Sequence, residues 1–83
     1  MIDVKKAVTA ALTYAQELGR SGATLEEVER SEDDRYWLVT LGFPRRLNDF
    51  AVLGGVKYEP DYKIFKVDAE TAEVLSMKIR AAA

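Results

Sequence analysis

Near the N-terminus, apolar residues recur at steps of three and four: Val4, Ala7, Val8, Ala11, Leu12, Ala15 and Leu18. That spacing lays them along one stripe of a helix. Lys5, Lys6, Thr9, Thr13 and Gln16 fall away from the stripe. Asp3 stands where a side-chain oxygen can accept from an unpaired backbone amide of the first turn. Gly19 stands where a left-handed C-terminal cap is wanted. The pattern predicts a helix over about residues 3–18. Its alanines are small, so a broad flat partner can approach closely, and a sheet is such a partner.

The period then changes to two. Residues 35–43 hold the best alternation, with Trp37, Val39, Leu41 and Phe43 on one face and Tyr36, Leu38 and Thr40 on the other. Pro44 ends that strand because it cannot donate to a ladder. Residues 25–30 read as a shorter strand with poor alternation and an acidic load that suits a sheet edge. Residues 62–68 and 73–80 form two more strands, joined by Ala69-Glu70-Thr71-Ala72. Phe65 and Val67 are expected to face the helix with Leu75, Met77 and Ile79. Tyr62, Ile64 and Lys66 then share the outer face with Val74, Ser76, Lys78 and Arg80. Residues 44–61 are expected to be a loop or an extra hairpin around Gly54-Gly55. The expected fold is α+β, one N-terminal helix packed on an antiparallel sheet of about four strands. Such a sheet buries one face and leaves the other wet or available.

Composition narrows the chemistry. In 83 residues there is room for one core, so residues 1–83 are expected to form a single domain. There is no cysteine and no histidine. Thiolate nucleophiles, thiolate metal sites, disulfides and imidazole general bases are thereby excluded. Paired carboxylates remain the one mainstream catalytic class, but the acidic residues cluster in turns, where water keeps them ionised. The glycine pair at Gly54-Gly55 lacks the Lys-Ser/Thr that follows a phosphate cradle. The chain is therefore expected to be non-catalytic, with no cofactor and no metal.

Charge adds an asymmetry. The net charge is −2, from 12 Lys plus Arg against 14 Asp plus Glu, and gives no global pull toward a polyanion. Between Glu26 and Asp34 lie six carboxylates relieved only by Arg30, whereas Arg45, Arg46, Lys57, Lys63, Lys66, Lys78 and Arg80 make the second half mildly basic. Nucleic acid is not an expected partner, since the glycine–aromatic signature of sheet-based RNA readers is missing too. No apolar run approaches the roughly 20 residues that span a bilayer. No signal peptide is visible, so the chain as written is expected in the cytoplasm, or outside it if excised from a longer exported protein.

One candidate surface remains, the outer sheet face. Tyr36, Leu38, Ile64 and Val74 are expected to make its apolar centre, and Lys66, Lys78 and Arg80 its rim. Patches of this kind mark an interface with a protein partner or with a second copy of the chain. The competing reading folds residues 44–61 back over it through Leu47, Phe50, Val52 and Leu53. Trp37 is assigned to the core rather than to a binding hot spot, because Val39 and Leu41 share its face. A small-molecule pocket between helix and sheet is the weaker alternative, given how apolar the intervening residues are.

The run Lys63-Ile64-Phe65-Lys66-Val67-Asp68-Ala69-Glu70-Thr71-Ala72-Glu73-Val74-Leu75 resembles the closing hairpin of PepSY domains, the small modules of peptidase propeptides. The alanine-rich opening helix, the acidic strand and the Trp/Tyr strand are similar to that family and, more broadly, to cystatin-like domains. Ala72 stands where the family usually has glycine. The resemblance implies a helix laid across an antiparallel sheet and an inhibitory or chaperone-like binding role. It carries over no catalytic residue.

Overall fold

A computed structural model describes residues 1–43 and 61–80. Residues 44–60, the region expected to form a loop or hairpin, lie outside the described residues. Helix α1 runs Val4–Glu17. Asp3 caps its start, its Oδ1 accepting from the Lys6 amide at 2.8 Å. At the other end Gly19 takes a φ of 81°. Its amide donates to the Gln16 carbonyl and the Arg20 amide to the Ala15 carbonyl, each at 2.9 Å. That pair of bonds is a Schellman closure, which satisfies carbonyls the helix would otherwise strand.

Four strands follow: β1 (Thr24–Arg30), β2 (Tyr36–Phe43), β3 (Asp61–Asp68) and β4 (Val74–Ile79). They form one open sheet in the order β1-β2-β3-β4, every neighbouring pair antiparallel. Carboxylates shape the two tight connections. In the β1–β2 turn Asp33 Oδ1 accepts from Ser31 Oγ at 2.7 Å and from the Arg35 amide at 3.2 Å. In the β3–β4 turn Asp68 Oδ1 accepts from the Glu70 and Thr71 amides at 2.8 and 3.0 Å. That second turn drives Ala72 to a φ of 65°, the left-handed region that glycine enters without the Cβ clash.

The helix packs on the sheet through alanine. Ala7, Ala11 and Ala15 are buried against Val39, Leu41, Phe43, Phe65 and Val67. Four residues separate successive alanines, so they form one narrow ridge along the helix, and their small side chains let the sheet come close. The bulkier members of the expected stripe lie at its margins, and Val4 and Leu18 are exposed. Tyr14 meets Phe65 edge-on, ring centroids 6.2 Å apart, and fills space the alanines leave open.

Three expectations about the inner face need correction. Val74, assigned to the outer face, lies opposite Val67 and packs against the core. The cause is a bulge: Val67 pairs with Val74 and Lys66 with Ser76, which leaves Leu75 as an extra residue. Leu75 and Ile79, expected to be covered by the helix, are exposed; Leu75 sits in the bulge and Ile79 belongs to an edge strand. Trp37 does point inward but is only half-buried. Its indole N–H donates to the Ile2 carbonyl at 3.2 Å, and the Arg30 guanidinium lies over its ring at 4.8 Å. It tethers the N-terminal segment to the sheet rather than filling the centre of the core.

Candidate functional site on the outer sheet face

Cross-strand register sets the outer face out in rows. One row reads Glu27, Thr40, Ile64, Lys78 from β1 to β4, and the next reads Glu29, Leu38, Lys66, Ser76. A second bulge explains why β1 contributes its carboxylates here. Leu25 pairs with Leu41 and Glu27 with Thr40, so Glu26 is the extra residue. The bulge brings Leu25 and Val28, three apart in sequence, to the same inner face and turns Glu27 and Glu29 outward. Glu26 itself reaches Gly42. A Cβ added to Gly42 would stand 2.8 Å from Glu26 Oε1, so glycine there leaves room for the carboxylate.

Except for Val74, the residues expected at a binding surface all lie on this face. Tyr36, Leu38, Ile64, Lys66 and Lys78 line one open concavity of about 530 Å³, together with Ser31, Glu32, Asp33 and Ser76. Tyr36, Leu38 and Ile64 are half-buried, which is the condition of apolar residues on a sheet face that the helix does not cover. Lys66 Nζ lies 4.1 Å from the centroid of the Tyr36 ring, a cation–π contact that holds both side chains over the sheet. Arg80 stands just past β4, where its amide still donates to the Tyr62 carbonyl at 2.9 Å. Its guanidinium crosses back over the sheet, with Nη1 3.4 Å from Thr40 Oγ1 and 3.4 Å from Glu27 Oε1. Thr40 is buried beneath that side chain, with a relative exposure of 3%.

The face is polarised as a result. Its β1 border carries Glu27 and Glu29, continued by Glu32 and Asp33 in the adjoining turn; Lys78 lies on the far strand β4, Lys66 on the central strand β3, and the Arg80 guanidinium reaches back to Glu27. The acidic strand was legible as an edge, but its membership of this face was not. The signal was the broken alternation of residues 25–30, which a bulge resolves and a regular strand does not.

Among the described residues, the ionisable groups whose titration is clearly perturbed are all held charged. Asp33 is lowered from the ordinary aspartate range chiefly by the Ser31 hydroxyl and then by the Arg35 amide. Asp68 is lowered by the Thr71 and Glu70 amides. Asp61 is lowered first by its bond to Arg20, at 3.2 Å, and further by Lys63. Each cause is a donor that prefers the carboxylate. These aspartates fix turns and a strand end. A general acid requires the opposite displacement, upward.

Among the described residues, no group of three or more Asp or Glu side chains is placed to hold a metal ion. No helix among them is long and apolar enough to cross a membrane. No family model, no curated protein and no solved structure matches this chain.

Proposed function

We propose that the chain is a non-catalytic protein-binding module that docks its partner on the outer sheet face. The observation that carries this reading is the face itself. Leu38 and Ile64 lie diagonally across the two central strands, with Tyr36 on the same face, Lys66 directly beside Leu38, and Lys78 and Arg80 on the β4 side. An apolar centre with a charged rim is the anatomy of protein interfaces. The perturbed aspartates support the non-catalytic part, because each is held ionised in a structural role. The likeness of the β3–β4 hairpin to PepSY domains is consistent with an inhibitory or chaperone-like task.

The test is affinity capture with the intact chain and two single variants, read by quantitative mass spectrometry. Ile64→Glu puts a charge at the centre of the face, whereas Leu25→Glu changes an exposed residue on the other side of the sheet. The reading expects Ile64→Glu to lose the specifically captured protein and Leu25→Glu to retain it. Capture unaffected by Ile64→Glu contradicts it.

A further inference from the structure

We infer that the free edge of β4 pairs with β4 of a second copy of this chain, antiparallel, about a two-fold axis that runs through Met77 perpendicular to the sheet. The edge is a surface distinct from the outer face, so the two readings fail separately. The sheet is open, and among the described residues β1 and β4 each have a strand on one side only. Such edges invite pairing, and chains blunt them with charge and bulges. β1 is blunted along its length. Glu26 is the extra residue of its bulge, Glu27 and Glu29 follow, and Arg30 ends it. Two copies of β1 laid edge to edge set carboxylate beside carboxylate. β4 carries a single charge, Lys78, and pairs regularly from Ser76 to Ile79.

The hydrogen-bond phase of β4 identifies its open backbone groups. The Arg80 amide donates to the Tyr62 carbonyl at 2.9 Å. Lys78 opposite Ile64 and Ser76 opposite Lys66 continue that phase. Ser76, Lys78 and Arg80 therefore turn their amides and carbonyls toward β3, whereas Met77 and Ile79 turn theirs away. The bulge leaves Leu75 unpaired as well. These three open residues are also the apolar ones. Met77 packs against the core, while Leu75 and Ile79, two residues to either side of it, are 46% and 74% exposed.

A ladder forms only where open residues stand opposite open residues. Centring the axis on Met77 sets Met77 against Met77, and Leu75 of each copy against Ile79 of the other. Both exposed side chains then gain an apolar cross-strand neighbour, and Lys78 faces Ser76. Centring it on Lys78 opposes Lys78 to Lys78, a repulsion. Centring it on Ser76 sets Ile79 against Glu73. The run Leu75-Ser76-Met77-Lys78-Ile79 is thus complementary to itself in one register. The six-residue strand spans about 20 Å at about 3.3 Å per residue, a contact of the small, transient class. The product is one eight-stranded antiparallel sheet with both helices on the same side.

Sedimentation equilibrium of the intact chain from micromolar to millimolar concentration, combined with single-cysteine cross-linking, tests the register. A reversible monomer–dimer equilibrium is expected. Ile79→Pro removes an outward amide and no donor of the β3–β4 ladder, and is expected to weaken the dimer at least about tenfold. Ile79→Val keeps the amide and is expected to leave association close to that of the parent chain. Ile64→Glu, on the outer face, is expected to leave it unchanged. The chain has no cysteine of its own. Leu75→Cys and Ile79→Cys chains, mixed in a glutathione buffer, are expected to form the mixed disulfide, because opposed residues of such a pair lie about 5.5 Å apart. Each variant alone is expected to cross-link at least about tenfold more slowly, its two cysteines lying beyond the roughly 7 Å that a disulfide spans. The cross-linking arm alters exposed side chains only, so it decides the register even if Ile79→Pro unfolds the chain.

A chain that is monomeric throughout overturns the inference. So does a dimer that Ile79→Pro, still folded by circular dichroism, leaves as strong, or mixed and single cysteine variants that cross-link equally. A dimer lost in Ile64→Glu overturns it too, and moves self-association to the outer face. Loss of captured protein in Ile64→Glu with the dimer intact supports the edge and the outer face as separate surfaces.

Discussion

Arg80 reaches across two neighbouring strands to bring its guanidinium within 3.4 Å of Glu27 on the far edge of the sheet. Both side chains are more than 40% exposed, so the pair adds little to folding, roughly 0.2–1 kcal/mol. Its larger effect is on the surface, because the guanidinium lies over Thr40, with Nη1 3.4 Å from Oγ1. Arg80→Ala is therefore expected to cost less than about 1 kcal/mol in urea denaturation. It is also expected to change protein association through this face by more than it changes stability. A loss of several kcal/mol in that denaturation contradicts the assignment of Arg80 to the surface.

Ala72 holds a left-handed φ of 65°. Glycine enters that region without the Cβ penalty, so Ala72→Gly is expected to stabilise the chain. The expected gain is about 0.5–1 kcal/mol, offset in part by the greater freedom of glycine in the unfolded state. Thermal denaturation measures it, and an unchanged or lowered midpoint counts against strain at this turn.

Gly19 poses the reverse case. Its φ of 81° closes α1, and nothing lies within 4 Å of a Cβ built there. The cost of Gly19→Ala is then conformational alone, about 1 kcal/mol. Helical content by circular dichroism should change little while the denaturation midpoint falls.

Within the core, Phe65 is fully buried and touches rings on both sides, Tyr14 and Phe43. Phe65→Ala is expected to cost about 3–5 kcal/mol, a large part of what a domain of this size possesses. Leu75→Ala, at the exposed bulge, is expected to cost well under 1 kcal/mol. Comparable losses at the two positions, measured by chemical denaturation, contradict the bulged register of β4.

Acid should unfold the domain late. Asp33, Asp61 and Asp68 all titrate below the ordinary aspartate range in the folded chain. A carboxylate with a lowered folded pKa contributes stability that is complete above its unfolded value and lost as pH falls through its folded value. Their contribution is therefore intact at pH 5 and above and disappears below about pH 4. The chain has no histidine to add a transition near neutrality. Denaturation midpoints are expected to hold steady between about pH 7 and 5, then fall steeply. A marked loss within the upper interval contradicts this account.

Where one period ruled a segment, the sequence was readable. The helix was expected at about 3–18 and found at Val4–Glu17, with Asp3 and Gly19 as its caps. The Trp37, Val39, Leu41, Phe43 face was equally plain. Bulges hid the rest, because one inserted residue shifts every later side chain of a strand to the opposite face. In β4 the bulge exchanged Val74 for Leu75. In β1 it turned Glu27 and Glu29 onto the candidate face, where strict alternation gives no reason to look. Tyr14 was missed for another reason. Its place at the margin of the alanine ridge matters only because Phe65, on a distant strand, needs a neighbour. Tyr36, Leu38, Ile64 and Lys66 were legible because β2 and β3 pair without a bulge, and Lys78 and Arg80 because they lie beyond the bulge of β4, where alternation is regular.

The central claim is that the outer sheet face is where this chain meets protein. Amide proton–nitrogen correlation spectra, recorded as the protein captured by the intact chain is titrated in, test it most directly. The account predicts shifts confined to Tyr36–Thr40, Ile64–Lys66 and Ser76–Arg80, with the β1 carboxylate strand moving alongside and α1 still. Shifts that map to α1 instead, or an outer face left unmoved by the bound protein, contradict it.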